Sequence, residues 1–324
     1  MRWATILVLV ACAWLLGCSS GENDGPLDAG DAAASDAGPD AFVVGPHEAF
    51  PQVPNQGGPI YAHPTLVTVS FDSAPDGGTP SGGATEQQVI AFGDWVVTSS
   101  WLSQVGKDYG VGAGAHVHAT LPAPPSTTLT DADVQSLVAA RIQDGSLPSA
   151  DGGSGEYLYE LFFPAGTTIT LDGMTSCVPY QGDFEGGYHG EVASPHVAYA
   201  VVPTCSDTSS VESLANIESS AAHELIEACT DPFPYTTPAW AFEDLNNPWT
   251  YLSAEVADLC DTEDIQTDGH EAQRVWSNSA AAAGTNPCIP APPGPFYDST
   301  PSPSVVQHAK AGQTITLGLE GFST

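Results

Sequence analysis

The run His223-Glu224-Leu225-Ile226-Glu227 combines one imidazole and two carboxylates at a spacing that could hold a metal ion. Side chains four apart share a helix face, so on a helix His223 and Glu227 reach the same ion. Imidazole and carboxylate oxygens are zinc ligands, and Glu224 beside them could take a proton from an attacking water. A third protein ligand is needed. Glu255-Val256-Ala257-Asp258 supplies two carboxylates at helical spacing. His189, next to a glycine-rich turn, could ligate the ion or stabilise the oxyanion of a tetrahedral intermediate. The chemistry these groups support is metal-assisted hydrolysis. The bland alternative is a solvated helix face, with His189 a loop histidine bonded to backbone. His116 and His118 alternate on an expected strand and share a face, and are read as polar surface.

The elements that must hold these residues follow from periodicity and punctuation. Leu66 to Phe71 reads as a buried strand, and Thr85 caps a helix over Glu86 to Val97 that restarts at Ser99-Ser100 and runs to Lys107. Ala115 to Leu121 alternates as a strand does. Thr130 caps a helix bearing Val134, Leu137, Val138 and Ile142, which Gly145 ends. Tyr157 to Phe163, Thr168 to Leu171 and Val197 to Val202 are β-branched or aromatic runs between Gly and Pro, hence strands. The helix that matters most starts at Ser209-Ser210-Val211-Glu212 and is carried by Val211, Leu214, Ala221, Leu225 and Cys229 to Thr230-Asp231-Pro232, where Pro232 stops it. Leu225 and Ile226 then face the core, Asn216, Ser219 and Ser220 form a small polar row, and Asp231 closes the helix end. Gln313 to Glu320 is one more strand. The class is mixed α/β of the α+β kind, in a single domain.

Five Lys plus Arg against 39 Asp plus Glu give a net charge of −34. Such a surface repels phosphate backbones, so no nucleic acid partner is expected, and it suits cations. Residues 1–17 read as a signal peptide with an apolar core too short to span a bilayer. Leu15-Leu16-Gly17-Cys18 resembles the lipobox of bacterial lipoproteins, which implies lipid on Cys18 as the membrane contact. Ser19 after it favours the outer membrane, so the expected place is the cell surface of a Gram-negative bacterium. Residues 18–57 are expected to be a lipidated, disordered acidic tether, 58–290 the folded domain, and 291–324 a Pro-rich tail with a terminal strand. Five cysteines fall in the folded part. In an oxidising compartment the arithmetic is two disulfides and one thiol. Cys177 with Cys205 and Cys260 with Cys288 each enclose a moderate loop, leaving Cys229 buried and reduced, although spacing alone does not fix connectivity.

Ala222-His223-Glu224-Leu225-Ile226-Glu227-Ala228-Cys229-Thr230-Asp231-Pro232, a Trp-bearing loop, and then Ala254-Glu255-Val256-Ala257-Asp258-Leu259-Cys260 together resemble the EXORDIUM / phosphate-induced protein family. Its members carry a similar His-Glu-Leu-Ala-Glu helix and a Glu-Ile-Gly-Asp-Leu-Cys segment. Gly187-Tyr188-His189 is similar to the family's Cys-Gly-Phe/Tyr-His, with Gly186 standing where the family has cysteine. The resemblance covers most of residues 60–290. It implies a zincin-like mixed sheet with an active-site helix. In the glutamate-ligand zincins a Glu on a second helix completes the site while a nearby acid orients the histidine. The implied set is therefore His223, Glu227 and Glu255 on zinc with Asp258 orienting, or these two acids exchanged. Glu224 becomes the general base and His189 steadies the transition state. The implied activity is that of a peptidase on extracellular protein. The other class is a non-catalytic cell-surface or cell-wall glycan-binding protein with a structural metal site. Two carboxylates and one histidine make zinc a poorer Lewis acid than usual, so Ca2+ or Mn2+ stays open.

Overall fold

The computed structural model describes residues 49–73, 84–149, 155–177, 186–205, 214–242, 255–302, 316 and 318–323. The signal segment, Cys18, the tether up to residue 48 and the helix start at 209–212 lie outside the described residues. In chain order the elements are β1 (Thr65–Phe71), α1 (Glu86–Val96), α2 (Ser100–Val105), β2 (Ala115–Leu121), β3 (Thr128–Thr130), α3 (Asp131–Gln143), β4 (Tyr157–Phe163), β5 (Thr168–Leu171) and β6 (Met174–Thr175). They continue with β7 (Tyr188–Ala193), β8 (His196–Pro203), α4 (Leu214–Thr230), β9 (Asp264–Thr267), β10 (His270–Gln273), β11 (Val275–Trp276), α5 (Asn278–Ala283), β12 (Cys288–Ile289), β13 (Tyr297–Ser302) and β14 (Gly318–Ser323).

The central sheet has the order β2-β1-β4-β8-β7, parallel throughout except for β7, which pairs antiparallel with β8. Parallel strands are covered on both faces, and β1, β4 and β8 are accordingly almost wholly buried. Leu66, Leu158, Phe162 and Val202 meet Phe92 and Val96 of α1 and Leu225 and Ile226 of α4 in one apolar cluster. Val67, Val69, Tyr159 and Leu161 meet Val134 and Val138 of α3 in another. The chain is thus an α+β domain with a mixed sheet, as expected from its sequence. Thr85 with Gln88, and Thr130 with Asp133, form reciprocal caps at the starts of α1 and α3. Register aligns Thr68, Glu160, Ala200 and His189 in one row across β1, β4, β8 and β7.

Three segments differ from expectation. His189 stands on β7, where no strand was expected, just after the Gly186-Gly187 turn; a Cβ on Gly190 of that strand would be 2.9 Å from the Tyr199 hydroxyl. The acids at 255 to 258 lie in a bend and a turn leading into a short 3-10 helix, Asp258–Cys260, rather than on an α-helix. Finally, folded structure begins before residue 58 and continues past 290. Phe50 and Val53 are buried, Asn278 bonds Val53 through both its amide atoms, and Phe296 packs on Phe50 at 5.7 Å. Apolar side chains among the prolines draw these flanks onto the core. The last strand, Gly318–Ser323, overlaps the end of the expected one and pairs with β13; residues 313–315 lie outside the described residues.

Two disulfides join Cys177 to Cys205 and Cys260 to Cys288, and Cys229 is a buried free thiol. Disulfides of this kind persist in oxidising compartments.

Candidate metal centre

Helix α4 supplies the first three groups. Its apolar side, Leu225 and Ile226, is fully buried against the sheet, so His223, Glu224 and Glu227 project toward β7 and the 255–260 segment. Glu227 is 2% exposed, and burying a carboxylate that deeply is costly unless it is hydrogen-bonded. Its Oε1 accepts the backbone N–H groups of Ala257, at 3.0 Å, and Asp258, at 3.1 Å. Those N–H groups begin a 3-10 helix that has no side-chain cap of its own, so a carboxylate from another element satisfies them. Oε2 of Glu227 is left facing His223 Nε2 at 3.1 Å and His189 Nδ1 at 3.9 Å.

His223 is oriented from its far side. Gln273 on β10 donates from Nε2 to the Ala257 carbonyl at 2.7 Å, which leaves its Oε1 to accept from His223 Nδ1 at 2.9 Å. Nδ1 therefore carries a proton, and Nε2 points at Glu227 and at Asp258 Oδ1, 3.4 Å away. His189 is held in the same manner, with Nε2 donating to the Asp231 carbonyl at 3.2 Å and Nδ1 turned to Glu224 Oε2 at 3.5 Å. Glu255 lies on the Nε2 side of His189, at 3.5 Å. The His223, Asp258 and Glu255 side chains are 15–20% exposed against 3–5% for Glu224, Glu227 and His189, so solvent reaches the centre from the 255–258 side.

Among the described residues, two sets of three have all their ligand atoms within 4.8 Å of one another: His223, Glu227 and Asp258, and His189, Glu224 and Glu227. The geometry groups Asp258 with His223 and Glu227, while Glu255 faces His189. Burial would push both histidines down, but the surrounding carboxylates outweigh it. Glu255, Glu224 and Glu227 hold His189 at about 10. Glu227, Asp258 and Glu224 hold His223 well above its ordinary value. Burial raises Glu227, with Asp258 adding repulsion and His223 opposing; burial likewise raises Glu255 against the pull of His189.

The chain was compared with protein-family models, with curated proteins and with solved structures. Nothing matches in any of the three. The likeness to the EXORDIUM family thus rests on the quoted motifs alone, and the site's chemistry on its own geometry.

Other sequence candidates resolve locally. His116 is bonded to Asp94 at 2.8 Å and Thr68 Oγ1 at 3.0 Å. Asp231 Oδ1 accepts the Ala239 N–H at 2.8 Å and so closes the end of α4. Ser219 bonds Asp264 of β9 instead of leaving open space over the helix. Two contributors escaped sequence reasoning. Gln273 sits in a four-residue strand with no motif to flag it. Glu160, a lone acid inside the apolar run Tyr157–Phe163, did carry a signal, because a buried strand rarely keeps an unpaired charge.

Proposed function

We propose that the chain is an exported metallohydrolase anchored by lipid on Cys18, acting as a peptidase on extracellular protein. The observation that carries this reading is the orientation of His223: Gln273 Oε1 accepts a hydrogen bond from its Nδ1, and its Nε2 converges with Glu227 and Asp258 at 3.1 and 3.4 Å. A histidine fixed through one nitrogen so that the other meets two acids is how proteins prepare a metal ligand. The donor set fits a divalent ion, and His223, Glu227 and Asp258 would hold it, with Glu255 at the open edge.

Such an ion, when bound, supplies Lewis acidity toward a carbonyl and a more acidic water. The chain's own residues do the rest. Glu224, anchored on α4 with Oε2 directed into the centre, accepts the proton of the attacking water. His189, kept charged by three carboxylates, is the donor for a developing oxyanion, and its hold on the Asp231 carbonyl fixes its direction. Exposure of the 255–258 side gives substrate its approach.

A second reading has its own support. One histidine against two carboxylates is an oxygen-rich set that suits Ca2+ or Mn2+ as well as Zn2+, and a structural ion in a surface-binding protein would use it equally. Metal analysis of the purified protein by mass spectrometry separates these readings. About one tightly held zinc or manganese per chain, lost in His223→Ala, is expected. Glu224→Gln should keep that metal and the fold while abolishing hydrolysis of a peptide library. Metal retained with no hydrolysis by the native protein would favour the binding protein, and no metal in either form would overturn the metal-centred mechanism.

A further inference from the structure

The two sets of ligand atoms share Glu227 but are otherwise distinct, and the function proposed above uses only one of them as a metal site. We propose that His189, Glu224 and Glu227 form a second, weaker site for a divalent cation, whose occupancy withdraws the general base. This inference rests on the metal reading of the first set.

Four observations support it. The ligand atoms of the three residues all lie within 4.8 Å of one another. His189 is already held through Nε2 by the Asp231 carbonyl, which leaves Nδ1 directed at Glu224 and Glu227. Next to this set lies Glu160, fully buried on the central strand, with neither carboxylate oxygen hydrogen-bonded among the described residues. It sits in the same row of the sheet as His189 with only Ala200 between them, on the face that packs against α4, and within electrostatic reach of Glu224. A small residue at 200 leaves the Glu160 side chain open toward the set. The charge ledger is the fourth observation. Among the described residues Glu224, Glu227 and Glu255 have only His189 and His223 as cationic partners, and Glu160 has none. A second cation meets acids that outnumber the imidazoles beside them and that burial otherwise pushes toward the neutral form.

The second site is the weaker because it shares Glu227 with the ion of the first, whose charge repels a second cation. Its three residues are nearly inaccessible, whereas His223 and Asp258 border solvent. Its consequence is regulatory. A carboxylate that donates to a cation cannot accept a proton from water, so divalent ion in excess of the first equivalent suppresses hydrolysis.

The test is a Zn2+ titration of the chelator-treated full chain by calorimetry, with bound metal checked by equilibrium dialysis, in about 0.15 M NaCl to screen adventitious binding to the acidic surface. The native protein is expected to bind one equivalent tightly and another more weakly. His189→Gln should keep the first and lose the second, and Glu160→Gln should leave the first unchanged while weakening the second about tenfold, the usual effect of removing an outlying partner. Circular dichroism establishes that each variant is folded; if His189→Gln is not, Glu160→Gln decides the matter. Saturation at a single equivalent in the native protein, or a second equivalent indifferent to the folded variants, overturns this inference and leaves the proposed function standing. Absence of any binding overturns both.

Discussion

Gln273 is the residue on which the direction of His223 depends. Its amide spans the Ala257 carbonyl and the His223 Nδ1 proton, so one side chain fixes both a ligand's tautomer and the segment that carries Asp258. Gln273→Leu keeps the bulk and removes both bonds. Metal affinity should fall by about 10- to 100-fold with little change in secondary structure, measured by competition against a chromogenic chelator. The histidines also set a pH dependence in the metal-free protein. A histidine whose folded-state pKa exceeds its unfolded value gives stability that is complete below the unfolded value, about 6.5, and lost as pH rises through the folded one. For His189 the folded value is about 10, and His223 shifts in the same direction. Glu227 and Glu255, held up by burial, act with the same sign at lower pH. Chelator-treated protein should therefore melt at progressively lower temperature as pH rises from about 6.5 to 10, whereas metal-loaded protein should change less. A flat profile in chelator would mean the carboxylates do not hold these histidines charged.

At the scale of the element, the join between β7 and α4 is the tightest constraint on the site. A Cβ on Gly187 would stand 2.7 Å from the Val201 carbonyl oxygen and 2.9 Å from Glu224 Cγ. The first of these is backbone of a central strand and cannot yield, so Gly187→Ala must displace β7 or push Glu224 aside. A loss of about 1–3 kcal/mol is expected in denaturant unfolding, with hydrolysis reduced further than stability alone accounts for. The same join marks where sequence reading ran out. Helix α4 was legible because Leu214, Ala221, Leu225 and Cys229 keep a helical period up to Pro232, and β1, β4 and β8 because parallel strands are uninterrupted apolar runs. Strand β7, Tyr-His-Gly-Glu-Val-Ala, carries a glycine, a histidine and a glutamate, and only its pairing with β8 makes it a strand. Similarly, Glu255 to Asp258 has helical spacing, yet the segment is a turn because its N–H groups are taken by Glu227 from another element. Residue types at the site were readable; which acid meets which histidine was decided by contacts far apart in sequence.

At the scale of the whole molecule, the site is closed by C-terminal segments folded back over α4. The β9–β10 hairpin is fastened to the helix by His270 and the Glu271 N–H on Glu218, each at 2.9 Å, and the 255–260 segment by the Ala257 and Asp258 N–H groups on Glu227, while the Trp276 N–H of β11 donates to the Val256 carbonyl. Only the Cys260–Cys288 disulfide ties that segment covalently, at the end of its 3-10 helix. The Cys177–Cys205 disulfide instead joins the end of β6 to the residue after Thr204 beyond β8. Both close loops of the same sequence separation, 28 residues. Chain entropy therefore assigns them similar worth, about 2–4 kcal/mol each. Replacing either pair with serines should lower the unfolding temperature to a comparable extent. Metal affinity should separate them, because loosening Cys260 frees Asp258 two residues away, while loosening Cys177 leaves His223, Glu227 and Asp258 in place. Thermal unfolding and metal titration of the two double variants measure this directly. Equal loss of affinity in both would mean that the centre depends on global stability rather than on the closure of the segment that carries Asp258.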